Sequence, residues 1–133
     1  MNAFNLSRLH EFLKSNEFRP IQSANSSEQF GNFFEDWQSS NFNIRIINDR
    51  SILSFAISAK LDSQNWFEVE LINGLVYGTS DFSAAFEPNA AVQFLMGHFD
   101  QIGKLFAKRN YSATKETLEE MRNLRMKQLF PNL

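Results

Sequence analysis

Apolar residues recur at helical spacing over residues 4 to 16, where Leu6, Leu9, Phe12 and Leu13 fall on one side and Arg8, Glu11 and Lys14 on others. The pattern predicts an amphipathic N-terminal helix. Pro20 cannot continue it, because the proline ring clashes with the preceding turn, and the polar run Gln22 to Gln29 reads as a short extended piece followed by a loop. From residue 30 the period changes to two: Phe42, Ile44 and Ile46 alternate with Asn43 and Arg45, and aromatic and β-branched residues dominate as far as Ser58. Three antiparallel strands are expected, Gly31 to Gln38, Phe42 to Ile47 and Ile52 to Ala59. Their turns fall at Ser39-Ser40-Asn41 and Asn48-Asp49-Arg50-Ser51, residue types that bond their own backbone. A further turn at Asp62 to Asn65 precedes Trp66 to Ile72, a segment that suits a fourth strand and is also compatible with a short helix.

Periodicity lapses from Gly74 to Ser83, which reads as a loop. Pro88 suits the first turn of a helix, and Val92, Leu95, Phe99, Ile102 and Phe106 then repeat at steps of three and four. Asn110-Tyr111 interrupts the pattern, Ser112 or Thr114 offers a cap, and Leu118, Met121, Leu124 and Leu129 mark a last helix before Pro131. The expected fold is α+β: an antiparallel meander of three to four strands, with an N-terminal helix and two C-terminal helices over one face. With 133 residues and no linker-like stretch, a single domain spanning 1–133 is expected, its core supplied largely by 15 Phe and 2 Trp.

Composition narrows the chemistry. The chain has 0 Cys, so it forms no disulfide and carries no thiolate metal site or cysteine nucleophile, in keeping with a reducing, cytoplasmic setting. The N-terminal residues mix charged and apolar types unlike a signal peptide, and no apolar run approaches the ~20 residues that cross a bilayer, so no membrane association is expected. His10 and His98 stand apart from other ligand-type residues, the glycines form no phosphate-cradling loop, and no serine has a G-x-S-x-G context. No catalytic, metal or cofactor site is expected, and the chain reads as a binding protein and not an enzyme. Lys104, Lys108 and Arg109 beside Tyr111, with Arg122, Arg125 and Lys127 beyond, would suit nucleic acid; Glu116, Glu119 and Glu120 interrupt them and the isoelectric point is near 5.7, so direct nucleic-acid binding is not expected.

The net charge of −2 is unevenly spread. Residues 28 to 100 carry ten acidic and three basic groups, whereas residues 101 to 133 carry three acidic and seven basic ones. The stretch Phe42-Asn43-Ile44-Arg45-Ile46-Ile47-Asn48-Asp49-Arg50-Ser51-Ile52-Leu53-Ser54-Phe55-Ala56-Ile57, with Asn65-Trp66-Phe67-Glu68-Val69 after it, combines a strand, an Asn-Asp-Arg turn, a second strand and a Trp-Phe-acidic segment. In this the chain resembles, over residues 30 to 72, the immunity proteins of bacterial polymorphic-toxin and contact-dependent growth-inhibition systems. The resemblance implies a protein partner, a toxin domain.

If that toxin is a cationic nuclease, complementary charge would speed its association. Glu35, Asp36, Asp62, Glu68, Glu70, Asp81 and Glu87 are then expected to supply an acidic docking surface, and Trp37, Tyr77 or Phe82 an aromatic anchor. Phe33 and Phe34 point to opposite sides of one strand and cannot both enter the same core; either each side packs, under the first helix and under the C-terminal helices, or one ring is exposed as an aromatic anchor within an acidic rim. An adaptor docking through its C-terminal helix is the alternative.

Overall fold

The computed structural model describes residues 6–26, 32–79 and 86–132. In chain order these form helix α1 (Leu6–Ser15), strands β1 (Arg19–Ser26), β2 (Asn32–Gln38), β3 (Phe42–Asp49), β4 (Ile52–Ala59) and β5 (Asp62–Glu68), and helices α2 (Val69–Tyr77), α3 (Pro88–Gly97), α4 (Phe99–Leu105) and α5 (Lys108–Leu129). The strands make one antiparallel sheet in the order β1-β2-β3-β4-β5, so every strand lies beside its neighbours in sequence.

The N-terminal helix forms over Leu6–Ser15 of the expected residues 4 to 16, burying Leu9 and Leu13; residues 4 and 5 lie outside the described residues. It ends in a Schellman turn: the Phe18 N–H donates to the Leu13 carbonyl at 2.9 Å and the Glu17 N–H to the Lys14 carbonyl at 3.3 Å, with Glu17 in the left-handed region at φ 66°. Phe18 and Leu13 both join the core, so the turn is tied down by the apolar contact that commonly accompanies this motif.

Among the described residues, the expected count of three to four strands is corrected to five. The additional strand, β1, reads RPIQSANS and carries no apolar alternation, because Arg19 to Ser23 are exposed along a sheet edge where burial imposes no pattern. The turn expected at Asp62 to Asn65 is likewise strand; the chain reverses at Lys60-Leu61, with Ala59 paired to Asp62. The segment that suited either strand or helix is divided, since β5 stops at Glu68 and α2 begins at Val69. The loop expected from Gly74 begins four residues later, at Gly78, whose φ of 69° ends α2.

Among the described residues, four helices follow the sheet where two were expected. The long apolar repeat of residues 92 to 106 is broken at His98, whose backbone (φ −122°, ψ 19°) leaves the helical region. Both halves still bury their stripe, Ala91, Val92, Phe94 and Leu95 from α3 and Ile102 from α4. The cap expected at Ser112 or Thr114 lies earlier, at Ala107, while Asn110 sits inside α5 and donates from Nδ2 to the Lys104 carbonyl at 2.8 Å.

Cross-strand register shows which sheet face is buried. Trp37 pairs with Ile44, Ile44 with Ile57 and Ile57 with Phe67; Phe42 pairs with Ala59 and Ile46 with Phe55. All belong to the hydrophobic core, together with Leu9, Leu13, Val69, Leu71, Ile72, Leu95, Ile102, Phe106 and Leu118 from the helices. Phe42 meets the rings of Phe18, Phe99 and Phe106 at centroid distances of 5.3, 5.7 and 6.3 Å. Phe33 packs against this core whereas Phe34 does not, so the two neighbours part as strand geometry requires.

Between β3 and β4, Asp49 pairs with Ile52 across a two-residue turn in which Arg50 (φ 54°) and Ser51 (φ 67°) are both left-handed. This is the geometry that hairpins normally assign to Asn-Gly, because side chains with a Cβ are strained there. The Arg50 N–H is held by Asn32 Oδ1 at 2.7 Å, a bond through the backbone that any residue retains. Replacing Arg50-Ser51 by Asn-Gly is expected to raise stability by about 1 kcal/mol. A higher urea midpoint at unchanged slope checks this, and an unchanged midpoint refutes it.

Candidate interaction surfaces

The second face of the sheet is buried at Asp36, Asn43, Ala56 and Ser58, though none of these joins the main apolar cluster. Along it stand Phe34 and Asp36 of β2, Asn43, Arg45 and Ile47 of β3, Ile52, Ser54, Ala56 and Ser58 of β4, and Trp66 and Glu68 of β5. Its centre is Arg45. The guanidinium donates through Nε to Asp36 Oδ1 at 2.7 Å and through Nη2 to Asp36 Oδ2 at 2.8 Å, a two-point clamp on a carboxylate only 2% exposed. It also lies over the rings of Phe34 and Trp66, at 4.6 and 4.4 Å from their centroids. Ala56 pairs with Arg45, and its small side chain leaves room for Trp66 to approach from β5. Hydrogen bonding to Asp36 holds the guanidinium pKa above its ordinary value. Phe34, Arg45 and Trp66 are half-buried, and Ser54 and Glu68 beside them are exposed.

Of the carboxylates expected to form an acidic surface, Glu35, Asp36, Asp62, Glu70 and Glu87 each have a partner within the molecule, whereas Glu68 is exposed. Asp36 is buried against Arg45, and Trp37, 5% exposed, is a core residue stacked on His10 at 5.2 Å, so the surface roles expected of both are corrected. The cause is register: Trp37 shares the buried face with Ile44, and Asp36 faces Arg45. Glu35 accepts from His10 Nε2 and, at 3.0 Å, from Trp37 Nε1. Glu70 accepts the Phe86 N–H at 3.0 Å and lies 4.0 Å from Arg125; Glu87 caps α3 by accepting the Ala90 N–H at 3.2 Å. Glu68 and Glu70 do not share a strand face, since the helix begins between them. Tyr77 is exposed at 59% and donates its hydroxyl proton to His98 Nε2 at 3.1 Å, while His98 Nδ1–H donates to the Phe94 carbonyl at 3.1 Å. Asp81 and Phe82 lie outside the described residues.

Asp62 and Glu70 are bound by the C-terminal helix, a relation the charge blocks of the sequence concealed. Helix α5 follows the flank of β5: Tyr111 Oη donates to Asp62 Oδ2 at 2.6 Å, Lys115 lies 3.3 Å from the same oxygen, and Arg122 Nη2 donates to the Trp66 carbonyl at 2.6 Å with its guanidinium 4.5 Å from the Phe67 ring centroid. Arg125 completes the series at Glu70. The basic residues of the tail thus neutralise part of the acidic middle.

Clefts of about 530, 390 and 320 Å³ meet at Phe99, walled by the end of α1, the β2–β3 turn and α4. Their rims mix Arg19, Lys60 and Lys104 with Glu17 and Asp100. The described residues contain no group of three or more His, Cys, Asp or Glu able to hold a metal ion, and no helix among them is long and apolar enough to cross a membrane. No protein-family model, curated protein or solved structure matches the chain.

Two consequences of these contacts are measurable. Truncating Arg45→Ala leaves the buried Asp36 carboxylate without its partner and is expected to cost about 3 kcal/mol, whereas the joint change Asp36→Asn with Arg45→Met is expected to recover most of it. Equal losses in the single and double variants, measured by urea unfolding, would contradict that account.

The Tyr111–Asp62 bond acts at both pH extremes. The Tyr111 hydroxyl, followed by Lys115, holds the Asp62 carboxyl below its ordinary range, so its contribution is present above about pH 4 and is lost as pH falls further. Burial first, and then Asp62, raises the Tyr111 phenol, so its contribution is intact below about pH 10 and is lost as pH climbs beyond. Tyr111→Phe is expected to cost about 1–2 kcal/mol at pH 7 and to flatten both limbs of the stability profile. A profile of unaltered shape would remove this role.

Proposed function

We propose that the chain is a protein-binding module that engages its partner through the second sheet face, with Arg45, Phe34 and Trp66 at the centre of the contact. The single observation behind this reading is the arginine held rigidly over two half-buried rings. Tryptophan and arginine dominate the energetics of protein interfaces, and a side chain already immobilised by Asp36 loses little further entropy on binding. The resemblance to immunity proteins supplies the partner class, a toxin domain encoded beside this chain. Recognition through an acidic surface has lost its support, because Asp36, Asp62 and Glu70 are paired within the molecule. In this reading, inhibition is steric and only weakly dependent on salt.

The adaptor reading keeps one observation of its own. Beyond Arg125, α5 exposes Met126 and Leu129, and Phe130 follows, each between 41% and 50% exposed. An adaptor would present this end to a partner groove. Cutting at residue 112 would remove the buried Leu118 together with Arg122, so the informative truncation begins at Met126.

The toxin reading is tested by titrating the protein with the C-terminal domain of a toxin encoded immediately upstream. A complex is expected, weakened at least tenfold by Trp66→Ala and by the exposed-site change Ser54→Arg, with modest change between low and high salt. Absence of a complex ends the toxin reading. Binding indifferent to both variants but steeply weakened by salt would return recognition to the carboxylates, and loss on truncation from Met126 would favour the adaptor.

A further inference from the structure

The two edges of the sheet are unlike. Along β5, α5 lies against the flank and Arg122 occupies the Trp66 carbonyl, while the chain turns directly into α2. Strand β1 has β2 as its sheet neighbour and, among the described residues, no strand on its outer side. Alternate N–H and C=O groups of an edge strand point away from the sheet and remain available to another strand.

Natural edges are commonly blunted by charged side chains, yet residues 20 to 27, PIQSANSS, carry no charge. Pro20 and the register break between Pro20 and Gln22 spoil the start of the strand, leaving Gln22 to Ser26 as its regular portion. The side chains of Gln22 and Ser23 are exposed.

We propose that β1 pairs antiparallel with β1 of a second copy, across a two-fold axis near Ala24, to give a continuous ten-stranded sheet. Self-pairing about a two-fold at Ala24 sets Gln22 opposite Ser26 and Ser23 opposite Asn25 of the second copy, so a charge next to the axis would lie close to its own like-charged counterpart; the uncharged stretch avoids this. The closed β5 edge explains why association stops at two copies instead of extending into a filament. A paired segment of about five residues is small against a standard protein interface, so the dimer is reversible and depends on concentration. This inference stands independently of the partner proposed for the sheet face, because variants of that face leave the edge intact.

Sedimentation velocity over a concentration series tests it. The wild-type chain is expected to move from 15.4 kDa towards twice that mass, and Gln22→Lys with Ser23→Lys to remain at 15.4 kDa with an unchanged thermal midpoint. Hydrogen exchange provides a measurement independent of the variant's folding: wild-type amides within residues 22–26 are expected to exchange more slowly as concentration rises. A wild-type protein that is monomeric throughout with exchange unaltered overturns the proposal. So does a lysine variant that dimerises as readily as the wild type, which would place the contact elsewhere. A monomer whose β1 amides are protected only by an added extended peptide would assign the edge to a foreign strand.

Discussion

The alternation of apolar and polar residues in β3 places its apolar side chains on one face, and the rest of the molecule is arranged around that layer. Phe42, Ile44 and Ile46 face the helices, so Asn43 and Arg45 face away. On the second face the polar side chains find partners on neighbouring strands, while Asn43 Oδ1 stays buried without one among the described residues. Asn43 is bonded to Ser58 at 3.0 Å and Arg45 to Asp36, each across a strand pairing that places the two residues opposite one another. A register slip of one residue would put the guanidinium into the core and the isoleucines outside, which is why the polar pairs and the apolar layer specify the same alignment.

The same constraint decides what the charges do. An acidic middle and a basic tail suggest an exposed negative field when read along the chain, but α5 returns along β5 and brings Lys115 to Asp62 and Arg125 to Glu70. Pairs of this kind have modest energetic value when partly exposed. Their larger consequence is to remove negative potential from the surface where a cationic partner would have met it. The second face instead carries a rigid cation over aromatic rings, held by short-range contacts more than by long-range attraction.

Helix α5 also explains the inequality of the sheet edges. Leu118 is buried in the core and Arg122 reaches a strand carbonyl, so a single helix contributes packing and closes one border of the sheet. The opposite border has no such cover on its outer side among the described residues. Its protection rests on Pro20 and a local irregularity, devices that limit strand addition at one end of β1 and leave the remainder permissive.

Where a physical period was imposed by burial, the elements could be read from the residues: α1 from Leu9 and Leu13, β3 and β4 from their alternation, the divergence of Phe33 and Phe34 from strand geometry. The readings that needed correction involve positions where burial exerts no pattern or where a distant segment supplies the partner. Strand β1 was obscured by its polar edge, the break at His98 by an apolar stripe continuous across both helices, and the ends of α2 and α5 by backbone capping at Gly78 and Ala107. Local sequence thus determined the elements that carry an apolar stripe and most of the residues along that stripe, because hydrophobic periodicity acts within a few residues. Tertiary structure alone decided which carboxylates remain available, that Asp36 and Trp37 turn inward, and that Arg45 meets Trp66, because those outcomes depend on groups brought together from separate strands and helices.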